Sequence, residues 1–81
     1  MKSGFKIGEL VKIDPGYNSG IWLRPQPKTN ISKEIGHVYP GNLLIIIEID
    51  KVTHPKDHSI KVVSACGKVG WTFASRLLKI F

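Results

Sequence analysis

Residues 67–81 read "GKVGWTFASRLLKIF". Preceded by "IKVVSAC" at 60–66, this stretch decides the fold class. "IKVVSA" is a β-branched run, "CGK" is turn chemistry, and "VGWTF" is a second short apolar run. Two such runs separated by a glycine-containing turn predict a hairpin. "ASRLL" at 74–78 is too short for an ordinary α-helix and suits one 3-10 turn. "KIF" then closes the chain as a last strand.

The rest of the chain punctuates in the same way. "FKIGELVKI" (5–13) predicts a first strand, with Val11 and Ile13 on one face and Lys12 on the other. "DPGYNSG" (14–20) is a turn segment, because Pro presets φ while Gly, Asn and Asp tolerate positive φ. "IWLR" (21–24) alternates, so Ile21 and Leu23 face inward and Trp22 and Arg24 outward. "PQPKTNIS" (25–32) predicts a long exposed loop, and "KEIGHVY" (33–39) a short strand ending at "PGN" (40–42). "LLIIIEI" (43–49) is nearly continuous in apolar residues, which predicts a central strand covered on both faces or crossing the core. "DKVTHPKDHS" (50–59) is a polar connection. Short strands, frequent turn signals and no amphipathic helix predict an all-β domain. Ile46, Val63 and Phe73 are assigned to its core.

The chain has 81 residues, which predicts one domain spanning 1–81. A domain of this size buries only about 60–65% of the surface its unfolded chain exposes. Twelve Lys and Arg against six Asp and Glu give a net charge of +6, which favours acidic partners. The basic residues are scattered singly, so no basic arm is present. The single Cys66 makes no internal disulfide, and Met1–Lys6 lacks the apolar run of a signal peptide. The expectation is a cytoplasmic protein without a membrane association, monomeric or weakly dimeric.

No enzyme chemistry is legible. Cys66 with His37, His54 or His58 is the one imaginable nucleophile–base pairing, and Cys66 falls in a hairpin turn. His54, Asp57 and His58 in "HPKDH" have metal-like spacing, but Pro55 opposes the helix that would align them. "GKVGW" lacks phosphate-loop spacing. A non-catalytic protein with no cofactor and no metal is expected.

The ordered set of motifs resembles the bacterial Src-homology-3 family. "IWLRPQP" stands at the place of L-x-V-R-x-x-P, and "EIGHVYPG" at V-I-G-x-x-x-x-G. "IKVVSACGKVGW" matches the last hairpin, and "TFASRLL" the short turn with its terminal Leu. The resemblance runs over about residues 21–80. Ile60 stands where the family often has Trp, the 25–32 loop is one residue longer, and the first strand and "DPGYNSG" are longer than usual. "GELVKIDPGYNSG" is more weakly similar to the KOW module, a nucleic-acid- or ribosome-associated relative of the same barrel. The resemblance implies a closed five-stranded Src-homology-3-like barrel with a 3-10 turn before the last strand. "KIF" would pair with the first strand. Gly67 and Gly70 would serve the last hairpin's turn and a close backbone approach.

It also implies a shallow aromatic groove that binds a protein or peptide. The residues expected there are Trp22, Arg24, Tyr39, Trp71 and Tyr17, with Lys68 and Arg76, joined by Lys28 and Lys33, as a basic rim. A nucleic-acid-binding barrel, stacking bases on Trp22 and Trp71 between basic residues, is the alternative.

Overall fold

The computed structural model describes residues 4–25, 36–52 and 56–80. The strands are β1 (Leu10–Ile13), β2 (Ile21–Leu23), β3 (Gly36–Val38), β4 (Leu43–Asp50), β5 (Ser59–Ser64), β6 (Val69–Phe73) and β7 (Leu77–Lys79). A 3-10 turn, Ala74–Arg76, separates β6 from β7. The protein is all-β. Among the described residues no helix is long and apolar enough to cross a membrane.

Five strands form one antiparallel sheet in the order β6-β5-β4-β1-β7, and β2 and β3 form a separate hairpin. Among the described residues one backbone bridge joins the two, where Arg24 and Trp71 exchange N–H···O bonds of 3.0 and 2.8 Å. Among the described residues the sheet does not close. The expected pairing of first and last strands is present through Leu77–Lys79: Val11, Lys12 and Ile13 face Lys79, Leu78 and Leu77, so "KIF" enters the pairing at Lys79, and Phe81 lies outside the described residues. The 3-10 turn ends at Arg76 because the next two residues are already extended and paired with β1. The first strand is also shorter than its sequence signal. Gly8, at φ +90°, turns the chain before Leu10.

The core is one cluster in which Val11, Ile13, Leu23, Val38, Leu44, Ile46, Ile60 and Val62 are fully buried. β1, β2, β4 and β5 each contribute alternate residues, as the period of two requires, and β3 and β7 add Val38 and Leu77. β4 corrects one expectation. It is not covered on both faces: Leu44 and Ile46 are buried, while Leu43, Ile45 and Ile47 are exposed. A bulge between Ile46 and Glu48 accounts for one letter of the apolar run, Ile47. Ile46 pairs with Val62, and Glu48 with Lys61, so Ile47 is the extra residue. The shift keeps Glu48 outside, 3.7 Å from the Lys61 ammonium, and turns Ile49 inward opposite Ile60. Val63 and Phe73, assigned to the core, are only half-buried, because their partners Val69 and Ser59 place them at the outer side and the end of the sheet. Ile46 is in the core as expected.

The last hairpin turns at Ala65–Gly67, with the Gly67 N–H donating to Ser64 O and the Ser64 N–H to Lys68 O. Gly67 has φ +92°, the left-handed residue that such a three-residue turn needs. Residues 26–35, which take in most of the expected loop 25–32 with Lys28 and the start of the expected strand 33–39 with Lys33, lie outside the described residues.

Candidate partner-binding face

Trp22 points outward because its neighbours Ile21 and Leu23 are buried in the core. It is 54% exposed, and Tyr39 is 50% exposed. The β2–β3 register places Trp22 directly opposite His37. Their rings stack at 4.5 Å with a 37° tilt, and His37 meets Tyr39 edge-on at 4.5 Å. Three rings therefore form one exposed strip. Tyr39 is held at its end by a turn: its N–H donates to Asn42 Oδ1 at 2.8 Å, and the Asn42 N–H returns to Tyr39 O at 2.9 Å. Lys68 reaches over from the last hairpin, its Nζ donating to His37 O at 2.9 Å while its stem packs along Gly36.

A second group adjoins the first through β2. Trp22 and Arg24 lie on the same side of that extended segment, about 7 Å apart along the backbone. The Arg24 guanidinium sits 4.2 Å above the Phe73 ring. Arg76 lies 5.4 Å from the same ring and 5.7 Å from the Tyr17 ring. The result is a ladder of alternating cations and rings, Tyr17–Arg76–Phe73–Arg24. Each step contributes about 0.5–1 kcal/mol at an exposed site. The turn at 14–20 sets the position of Tyr17: Asp14 Oδ1 accepts the Gly16 N–H at 2.9 Å, and the Tyr17 N–H donates to Asp14 O at 2.9 Å. The Asp14 N–H donates to Arg76 O at 2.9 Å, tying this turn to the 3-10 segment.

Six of the seven expected residues thus fall into two adjoining groups. Trp71 corrects the seventh. Its ring faces the same side as Lys61, whose Nζ is 6.0 Å from the ring, but it is only 6% exposed. Its backbone is bonded to Arg24 at the edge of β2, while its ring is buried and not open to a partner. Two residues that sequence reasoning passed over take part directly. His37 bridges Trp22 and Tyr39, and Phe73 takes both guanidiniums. Pairing "IWL" antiparallel with "GHV" would have revealed His37. Counting two residues on from Trp71 would have placed Phe73 on the same side.

The chemical candidates are accounted for differently. Cys66 Sγ lies 3.2 Å from Ser64 Oγ. That hydrogen bond, aided by Lys68 and opposed by desolvation, holds the thiol pKa below its ordinary value. Asp57 is committed to the 3-10 turn: Oδ1 accepts the Ser75 N–H at 3.0 Å and Oδ2 the Ser75 hydroxyl at 2.7 Å. His54 lies outside the described residues, among which no cluster of three metal-ligating side chains occurs. No family model, curated protein or solved structure matches the chain.

Proposed function

We propose that the chain is a non-catalytic interaction module, built as a Src-homology-3-like barrel, that binds a protein or peptide partner across its aromatic, basic-rimmed face. The barrel reading is supported by the order of elements. A first strand is followed by a hairpin excursion, a three-stranded meander, a 3-10 turn and a short strand that returns to the first. The observation that carries the binding reading is the Trp22–His37–Tyr39 strip. Large rings that stay about half exposed yet are fixed against one another suit a preorganised contact surface, since little side-chain freedom is lost on binding. Arg24, Arg76 and Lys68 border it, and aromatic residues with arginine are the commonest strong anchors of protein interfaces.

The test is affinity capture from native cells with the wild type and Trp22→Ala, each with and without nuclease. A protein partner that survives nuclease and is lost with Trp22→Ala is expected. Capture unaffected by Trp22→Ala refutes the assignment of this face. Capture that vanishes with nuclease, together with steeply salt-dependent binding of generic DNA or RNA, replaces the protein reading with the nucleic-acid one.

A further inference from the structure

The outer side of the five-stranded sheet carries a second group of residues, on the side of β5 and β6 that also bears Lys61, Trp71 and Phe73. On β4, Leu43 and Ile45 are 50% and 43% exposed. Cross-strand pairing extends this row in both directions. Ile45 faces Val63 on β5, Val63 faces Val69 on β6, and Ile45 faces Leu10 on β1. The next rung runs Leu43, Lys12, Leu78 across β4, β1 and β7. Aliphatic side chains therefore cross all five strands; among the described residues Lys12 is the charge within these two rungs, and the Glu48–Lys61 pair lies beside them.

Lys12 is half-buried, and no ion pair or hydrogen bond of its ammonium occurs among the described residues. The nearby carboxylates are engaged elsewhere: Glu9 lies 3.6 Å from Lys79 and Glu48 lies 3.7 Å from Lys61. An unmatched cation inside an apolar field specifies its complement. Covering the patch without a carboxylate would strip water from the ammonium and return nothing. A second copy of this chain is a poorer fit, because a two-fold contact here would bury two Lys12 ammoniums between chains that each carry a net charge of +6. We propose that this outer sheet face docks a partner protein segment that is apolar and carries a carboxylate opposite Lys12.

The experiment pans a random peptide library on the full chain after depletion on Ile45→Lys. Ile45 and Lys12 are on the surface, and dispersed ¹H–¹⁵N spectra verify that the variants fold; Leu78→Lys replaces Ile45→Lys if it does not. Enriched peptides are expected to be apolar with an Asp or Glu and to shift the amides of Leu10, Ile45, Val63 and Leu78. Lys12→Glu is expected to weaken them roughly tenfold or more, and re-selection on Lys12→Glu to return Lys or Arg in place of the acid. Failure to enrich any peptide that depends on Ile45 overturns the proposal, as does a charge preference that ignores Lys12. A dimer in sedimentation that Ile45→Lys dissolves identifies the occupant as a second copy and overturns it. Binding to phosphatidylserine vesicles that Ile45→Lys abolishes does the same in favour of a lipid surface.

Discussion

Gly20 joins the turn at 14–20 to β2, and a methyl group there would meet its surroundings at close quarters. A Cβ on Gly20 would lie 2.5 Å from the Val38 carbonyl oxygen and 2.9–3.0 Å from the His37 ring. Its φ is +85°. Gly20→Ala incurs about 1–2 kcal/mol for an L-residue in that backbone region. Moving the Val38 carbonyl weakens a ladder hydrogen bond beside Ile21, about 1 kcal/mol more. Reduced freedom of the unfolded chain returns about 0.4–1 kcal/mol. The net is a loss of about 2 kcal/mol, or roughly 8–16 °C in Tm for a domain of this size.

Two controls separate the causes. Gly8 has φ +90° and Gly41 has no positive φ, and a Cβ on either meets nothing within 4 Å. Gly8→Ala therefore loses only about 0.5–1 kcal/mol, and Gly41→Ala is neutral or slightly stabilising. Thermal and urea unfolding of the three variants give the ranking. Because the displaced ring is His37, Gly20→Ala also changes the near-UV circular dichroism of the Trp22 stack. Equal stabilities of Gly20→Ala and Gly8→Ala would refute the close approach of the turn to β3.

Ile46→Val removes a methyl from the core and loses about 0.5–1.5 kcal/mol, whereas Ile45→Val on the outer face changes stability by less than about 0.5 kcal/mol; urea midpoints distinguish them. Asp57→Ala takes two hydrogen bonds from Ser75 and lowers stability by about 1 kcal/mol, read by thermal unfolding. Ser64→Ala removes the hydrogen bond that favours the Cys66 thiolate, so the midpoint of the pH profile for Cys66 alkylation moves upward.

Much of the strand layout was legible in the sequence because turns and alternation are local properties. "CGK", "PGN" and "DPGYNSG" all fall between strands, and the inward Ile21 and Leu23 force Trp22 outward. The bulge at Ile47 was not legible. An unbroken "LLIIIEI" is compatible with two-sided burial, and only pairing with β5 reveals the extra residue. The half-burial of Phe73 and the near-complete burial of Trp71 reverse the simple expectation for the same reason. Both lie on one side of β6, where Trp71 is buried and Phe73 lies under the guanidinium of Arg24, which is bridged to Trp71 through the backbone. Such exchanges depend on contacts between residues far apart in sequence, which composition and periodicity do not encode.

On the proposed function, Trp22 is open in the free protein and becomes covered when the partner binds. Labelling both tryptophans with 5-fluorotryptophan gives two ¹⁹F resonances, assigned with Trp22→Phe. A soluble gadolinium chelate should broaden the Trp22 resonance strongly in the free protein and leave that of Trp71 sharp, given 54% and 6% exposure. Adding the captured partner should protect Trp22. A Trp22 resonance already shielded in the free protein, or still open in the complex, would contradict the account.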